Sequence, residues 1–188
     1  MARFDTGRPC LDLLTTSHPA EHLDSVAALC GWIAAAGLVP PGTRLDHADP
    51  CWLAAFRELR ARTGRLVRDR LTPGARPHPQ ALAHVNDLAR AAPPAPRAVP
   101  AEGGVLVREL AEPPECAALL GALARDAVDL LTDPVARAGL RQCEGDGCPI
   151  VYLDTSRGRR RRWCSSEVCG NRERVARHRR RVAAVARA

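Results

Sequence analysis

The chain has 188 residues, enough for one ordinary domain and a small appendage, and it contains neither an apolar run long enough to span a membrane nor a secretory signal. All 28 basic residues are arginine, and residues 141–188 carry 13 of them against five acidic residues, whereas residues 1–140 are almost neutral. The lack of a membrane-spanning run and of a secretory signal predicts a cytoplasmic protein rather than a membrane or secreted one. A nearly neutral body with a basic arm predicts that the arm binds nucleic acid, so the protein is expected to be nucleoid-associated.

Apolar periodicity predicts a mainly helical body in the first part of the chain. Residues 23–34 carry apolar side chains at helical spacing, and Gly37 follows as a stop signal. A second helix is predicted after Asp49, which can cap it, and Pro50, which suits a first helical turn. A third helix is predicted over residues 79–91, and its expected inward-facing side chains are Leu82, Val85, Leu88 and Ala89.

The second half of the body combines a small β element with a further helix. Prolines between residues 91 and 104 interrupt helix formation, and VLVREL at residues 105–110 predicts a short strand. Leucines and alanines recur every three or four positions over residues 119–131, which predicts another amphipathic helix. Asp133 can cap a short last helical turn that begins at Pro134.

The sequence of the body contains no catalytic constellation, and its histidines lack the spacing of metal ligands. We therefore expect a sensor or dimerisation module, and the sequence leaves both a small-molecule effector and a homodimer open. Asp12 and Arg57 are the candidates to bind such an effector, because they are polar residues within otherwise apolar helical segments. Four scattered cysteines are predicted to be small buried side chains, namely Cys10, Cys30, Cys51 and Cys116.

Two cysteine pairs near the C-terminal end have the pattern of a zinc site. Each pair encloses four residues, and fifteen residues separate the pairs. This arrangement can place four thiolates at tetrahedral corners around one zinc ion, and four protein ligands leave no open position for catalysis. The sequence therefore predicts a structural Zn²⁺ site in a protein that is not an enzyme, with the ligands Cys143, Cys148, Cys164 and Cys169.

The residues around these cysteines predict a treble-clef-like unit. CEGDGC contains glycines that allow a tight turn between the first two ligands. The stretch at residues 150–164 predicts a hairpin of two short strands, with its turn at residues 156–158. Ser165 can cap a helix whose first turn holds Cys169. Because the unit has few large apolar residues, we expect it to need the metal in order to fold.

Arginines on this unit are the predicted contacts to double-stranded DNA. One group follows the hairpin turn, and another lies on the C-terminal helix, where Val168, Val175 and Val182 mark an apolar side. We expect the helix to lie in or along a DNA groove while the hairpin arginines contact phosphates. Trp163 is expected to shield the metal rather than stack on a base, and Asn171 and Arg172 serve either structure or recognition. The candidate DNA contacts are Arg159, Arg160, Arg161, Arg162, Arg172, Arg174, Arg177, Arg180 and Arg181.

The C-terminal segment resembles a known family of bacterial zinc fingers. Residues 140–181 contain the two cysteine pairs, the LDTSR turn, the RRWCS stretch and Cys-Gly-Asn-Arg at residues 169–172, which together are similar to the CGNR zinc finger family. Members typically carry an alanine-rich helical N-terminal domain named ABATE, and LDLLTT at residues 11–16 resembles the opening of that domain. The resemblance implies a candidate stress-induced transcription regulator, with an ABATE-like domain over residues 1–138 and the zinc finger over residues 139–188.

Two other functions remain open from the sequence. The same basic arm suits a protein that binds RNA or the ribosome, although six aromatic residues in all give little sign of a base-stacking surface. A thiol redox switch is a third interpretation, because nearby arginines lower the pKa of a cysteine and oxidation would release the zinc. We favour DNA binding, since the metal is expected to occupy the thiols.

Overall fold

The computed structural model describes residues 5–185, with side chains up to residue 182, and it confirms a mainly α fold. Residues 5–139 are called the body below, and residues 140–182 the finger. The helices are α1 (Pro9–Thr15), α2 (Val26–Ala35), α3 (Pro50–Leu71), α4 (Pro79–Leu88), α5 (Cys116–Thr132), α6 (Pro134–Gly139) and α7 (Asn171–Val185). The strands are β1 (Pro96–Pro100), β2 (Leu106–Leu110), β3 (Leu140–Gln142) and β4 (Val151–Leu153). In this part of the chain, no helix combines the length and apolar character required to cross a bilayer.

Helix α3 is the central element of the body. It begins where predicted, because the Asp49 carboxylate accepts a hydrogen bond from the Trp52 backbone N–H (3.0 Å) and Pro50 occupies the first position. Helices α1, α4 and α5 pack against it, and the apolar faces of α3 and α5 are buried in one core. Side chains in this core include Phe56, Leu59, Val67, Leu119, Leu123 and Leu130.

Two predicted helices have different limits in the structure. Helix α2 begins at Val26 after a Ser25 cap, so that Leu23 precedes the helix, although its side chain is fully buried. Helix α4 ends at Leu88 rather than at residue 91, and the prediction that Leu82 faces inward is wrong, since its side chain is 41% exposed. Ala81 is buried instead, because consecutive helical residues point about 100° apart and only one of the two can face the core.

The scattered cysteines differ in burial. Cys51 is exposed, contrary to the prediction, because it lies in the first turn of α3 beside Trp52, whose side chain is the one that enters the core. Cys10 is buried, and Cys30 and Cys116 are half-buried. Burial raises the pKa of the Cys116 thiol to about 11, so this side chain stays a neutral thiol at physiological pH.

The predicted strand of the body is present as β2, and it pairs antiparallel with β1, a segment that the sequence predicts only as a proline-rich break. Ala101 and Ala111 donate hydrogen bonds across this ladder. Pro96 and Pro100 therefore occupy the alternate positions, at which an N–H would point away from β2. Because proline removes no ladder hydrogen bond at these positions, the segment can form a strand.

The predicted hairpin of the finger is wrong in its pairing. Strand β4 pairs antiparallel with β3, in the register Leu140↔Leu153, so the first cysteine pair lies in the loop of the hairpin. The segment after β4 forms a turn, because the Asp154 carboxylate accepts hydrogen bonds from the backbone N–H groups of Ser156 (2.9 Å) and Arg161 (3.0 Å). These contacts hold residues 154–161 in a loop and leave them no strand partner within the described chain.

The β3–β4 hairpin joins the body to the finger through its two faces. Val151 and Leu153 belong to the core of the body, as does Leu140 from β3. Ile150 and Tyr152 alternate with them and pack against the cysteines of the finger. The Leu153 N–H also donates to the Thr6 carbonyl (2.7 Å), which adds a backbone contact to the junction. The hairpin therefore contributes to both hydrophobic cores and joins the two parts of the protein.

Candidate metal centre and arginine-rich surface

Four buried sulfur atoms lie together in the finger. The Sγ atoms of Cys143, Cys148, Cys164 and Cys169 are all within 4.8 Å of one another. The Cys148–Cys164 distance is 3.7 Å and the Cys164–Cys169 distance is 3.6 Å. Four sulfurs bound about 2.3 Å from a central zinc ion in tetrahedral geometry are about 3.8 Å apart. The cluster can therefore hold one zinc ion, which confirms the predicted cofactor.

Backbone groups stabilise the charged form of the first ligand. Cys143 Sγ accepts hydrogen bonds from the N–H groups of Cys164 (3.2 Å) and Gly145 (3.4 Å). Burial raises the pKa of Cys143, but these donors outweigh the effect and bring the pKa below its usual value. Gly145 also leaves the necessary space, because a Cβ atom at this position would lie 3.3 Å from Cys169 Sγ. Cys143, the first cysteine of the turn at residues 143–148 (called the knuckle below), is thus favoured as a metal-binding thiolate.

Arg172 contacts the cysteine cluster directly. Its guanidinium donates to the Asp146 carbonyl oxygen (3.0 Å) and to Cys169 Sγ (3.7 Å). A zinc ion with four thiolate ligands carries a net negative charge, so an adjacent guanidinium stabilises the ligands. Of the two roles that the sequence leaves open for Arg172, the contacts describe the structural one, in which it links the knuckle to the start of α7.

Arg161 is engaged inside the finger, unlike a side chain that is free to contact DNA. Its guanidinium donates to the carbonyl oxygens of Trp163 (2.9 Å), Cys164 and Asp5 (3.0 Å). The same group lies 4.5 Å from the centre of the Tyr152 ring, and the Tyr152 hydroxyl donates to the Arg161 carbonyl (2.5 Å). The side chain thereby holds the segment before Cys164 against the finger core and reaches into the body.

Tyr152 and Asp154 are structural residues of the site that the sequence pattern alone does not identify. The Tyr152 side chain is fully buried, and burial raises its pKa to about 12, so its hydroxyl remains protonated as a donor. Asp154 is also buried, and its carboxylate organises the arginine-bearing loop. The sequence signal for both residues is the period-two alternation of IVYLD at residues 150–154. It places Tyr152 and Asp154 on the same side of the strand as Ile150, which is the side that packs against the finger.

Trp163 lies where a metal shield is expected. Its side chain is half-buried and packs against the cysteine cluster, and the Arg162 guanidinium lies 5.2 Å from the centre of its ring. A Cβ at Gly170 would lie 3.6 Å from the indole, which shows how closely the ring covers the helical turn at residues 166–170. That turn begins at Ser165, whose hydroxyl accepts from two backbone N–H groups, as the sequence predicts for an N-cap.

The other candidate arginines fall into two groups. Three have contacts on the surface of the finger: Arg162 with Glu144, Arg174 with the Ser166 carbonyl, and Arg180 with Glu173. Four are exposed and have no ion-pair partner among the described residues: Arg159, Arg160, Arg177 and Arg181. Arg157 and Arg179 share these properties. The free guanidiniums therefore lie on the loop after β4 and on α7.

Helix α7 projects from the finger with little support. Its main packing is against the preceding helical turn, residues 166–170. Val168, Val175 and Val182, the apolar side of this helical segment, are 57%, 42% and 55% exposed. Because even this apolar side is largely exposed, the arginines around α7 are accessible from several directions.

The two effector candidates of the body both have partners within the fold. The Asp12 carboxylate accepts hydrogen bonds from the Thr6 hydroxyl (2.6 Å) and the Thr6 N–H (3.2 Å). The Arg57 guanidinium donates to the Leu23 carbonyl, with Nε at 2.8 Å. Asp12 thus orders the segment before α1, and Arg57 holds the segment before α2 against α3.

Comparison with family models gives two adjacent matches that together cover most of the chain. Residues 7–134 match the ABATE family, with the description "Putative stress-induced transcription regulator". Residues 140–182 match the CGNR zinc finger, and this range contains all four clustered cysteines. Comparison with curated proteins gave no match. Neither family description is that of an enzyme. The chain belongs to the ABATE family and carries a CGNR zinc finger with a four-cysteine metal site at its C-terminal end.

Proposed function

We propose that this protein is a cytoplasmic transcription regulator that binds double-stranded DNA through its finger. The observation that carries the proposal is the set of accessible guanidiniums on a unit whose core can be built by zinc. Arg177 and Arg181 on α7 are exposed and have no ion-pair partner among the described residues. Each arginine that meets a phosphate releases counterions, which favours binding to a duplex.

The loop after β4 supplies a second basic surface. Arg159 and Arg160 are exposed there, and the Asp154 carboxylate holds the backbone of this loop from both ends. A fixed loop loses less conformational entropy when it contacts a phosphate than a free chain does. In this proposal, α7 contributes contacts along a groove while the loop contacts the flanking backbone.

The body has a regulatory role in this proposal. It would sense a small molecule, mediate homodimerisation, or do both. The β3–β4 hairpin, which packs in both cores, would transmit a conformational change of the body to the finger. The zinc ion would serve structure, because four cysteines fill a tetrahedral coordination sphere and leave no position for water.

The test is the salt dependence of binding to genomic DNA fragments. The variant replaces Arg177, Arg180 and Arg181, which lie on one side of α7, with glutamine. The matched control makes the same exchange at three exposed arginines of the body that lack ion-pair partners among the described residues, namely Arg76, Arg90 and Arg108. Both variants lose three positive charges. A difference in their DNA affinity therefore depends on where the charges lie and not on the net charge.

We expect the wild type and the body control to bind DNA with a steep dependence on salt. The α7 variant should bind more weakly, and the slope of log affinity against log salt should fall by about 0.9 for each phosphate that the variant no longer neutralises. No binding of wild type to any fragment at low salt would refute the proposal. A competition experiment in which the protein prefers structured RNA to duplex DNA would favour the RNA-binding alternative over DNA binding.

A further inference from the structure

A cavity of about 720 Å³ lies in the body, away from the finger. It opens between the C-terminal end of α3, the loop that follows it, and the last turns of α5 and α6. Its volume is within the range of about 300–1,000 Å³ that is typical of small-molecule sites. Apolar side chains form most of the wall, including Leu66, Leu71, Pro73, Pro77, Leu82 and Leu131.

One buried guanidinium nitrogen in the cavity wall lacks a hydrogen-bond partner among the described residues. The Nε atom of Arg137 is buried and makes no hydrogen bond within the described residues. The carboxylate of Asp69 also lines the cavity, but its oxygens already accept from Arg65 Nε (3.1 Å) and from the His78 N–H (3.0 Å). The unmet polar group is therefore a guanidinium donor.

The chemistry of this wall favours a particular ligand class. A buried donor without an acceptor is destabilising, and a carboxylate matches the planar guanidinium with two parallel hydrogen bonds. Arg70 also lines the cavity and has no ion pair in the described chain, so the site carries positive charge. The leucine and proline wall requires that the rest of the ligand be apolar.

We propose that this cavity binds a small carboxylate with an apolar body, and that Arg137 holds its carboxyl group. The site does not contact the basic surface of the finger, so the proposal is independent of DNA binding. Arg137 nevertheless lies close to the finger in the chain, because the Leu140 N–H, at the start of β3, donates to the Arg137 carbonyl. A ligand bound to Arg137 therefore contacts the chain three residues before the hairpin that joins the two parts.

The experiment is calorimetric titration of the zinc-loaded full chain with 1-naphthaleneacetate and with 1-naphthaleneacetamide. The two probes have the same shape and differ in charge. We expect saturable 1:1 binding of the carboxylate and at least about tenfold weaker binding of the amide. Arg137→Gln should lower the affinity for the carboxylate by about tenfold and leave that for the amide unchanged, while Arg76→Gln, at an exposed arginine outside the wall, should change neither.

A second variant tests the site without altering a buried residue. Leu82→Glu places a negative charge on the cavity wall at a side chain that is 41% exposed, so the fold should be preserved. We expect this variant to lose binding of the carboxylate while its circular dichroism and unfolding temperature match those of wild type. Absence of saturable binding by wild type, equal affinity for the two probes, or full carboxylate binding by either variant would overturn the proposal.

Discussion

At the scale of single residues, arginines that look alike in the sequence have different roles. Arg160 and Arg161 are neighbours in an unbroken arginine run. Arg160 is exposed, with no side-chain hydrogen bond or ion pair in the described chain, whereas Arg161 donates to three carbonyl groups and covers the Tyr152 ring. Composition predicts a basic surface correctly, but it cannot separate the arginines that build the finger from those that are free to bind a partner.

This difference predicts opposite effects of two adjacent substitutions. Arg161→Leu should destabilise the finger by about 2–4 kcal/mol, because carbonyl groups in and around the finger lose their donor. Arg160→Leu should change the stability by less than about 0.5 kcal/mol. Zinc release to a competing chelator measures both effects, and a faster release from the Arg160 variant than from the Arg161 variant would contradict this assignment.

At the scale of elements, short segments are held by long-range contacts that local propensity does not reveal. The segment before α2 is attached to α3 by Arg60, which forms two hydrogen bonds with the Glu21 carboxylate (2.7 and 2.5 Å). The hydrogen bonds from Arg60 lower the pKa of Glu21 from 4.5 to about 2. The β1–β2 hairpin shows the same limit, because the sequence identifies its second strand and misses the first, proline-containing one.

The lowered pKa of Glu21 predicts a defined pH dependence. The stability that the pair contributes should be complete above pH 4.5 and should disappear as the pH falls towards 2, because protonation then removes the charge on Glu21. Glu21→Gln should therefore lower the urea midpoint at pH 7, and its difference from wild type should shrink at pH 3. Glu58→Gln, which removes a partner of the exposed Arg62, is the control and should have little effect. A difference that persists unchanged at low pH would exclude this role.

At the scale of the whole molecule, the body and the finger share one hairpin. Leu140, Val151 and Leu153 complete the core of the body, while Ile150 and Tyr152 complete the finger. The resemblance to the two families divides the chain between residues 138 and 139. That the two parts fold as separate domains stays a prediction. The contacts indicate instead that the two parts stabilise each other.

Zinc removal should therefore affect the body as well as the finger. After chelation, we expect the finger to unfold, since metal binding supplies its folding free energy. Helices α1–α6 should remain folded, but their unfolding temperature should fall by several degrees because the hairpin no longer covers the core. Calorimetry with limited proteolysis measures both events. An unfolding temperature of the body that does not change after the finger has unfolded would show that the shared hairpin transmits no stability.

The sequence by itself determined the helical class, the spacing of four cysteines that can hold one zinc ion, and the concentration of charge in the C-terminal quarter. These features depend on local periodicity, on the spacing of cysteines and on composition, all of which can be counted along the chain. Only the tertiary structure decided that β4 pairs with β3, that Arg161 and Arg172 are bound within the finger, and that Asp12 and Arg57 are engaged in the fold. The reason is physical: the role of a polar side chain depends on which distant carbonyl or carboxylate the folded chain places within about 3 Å of it.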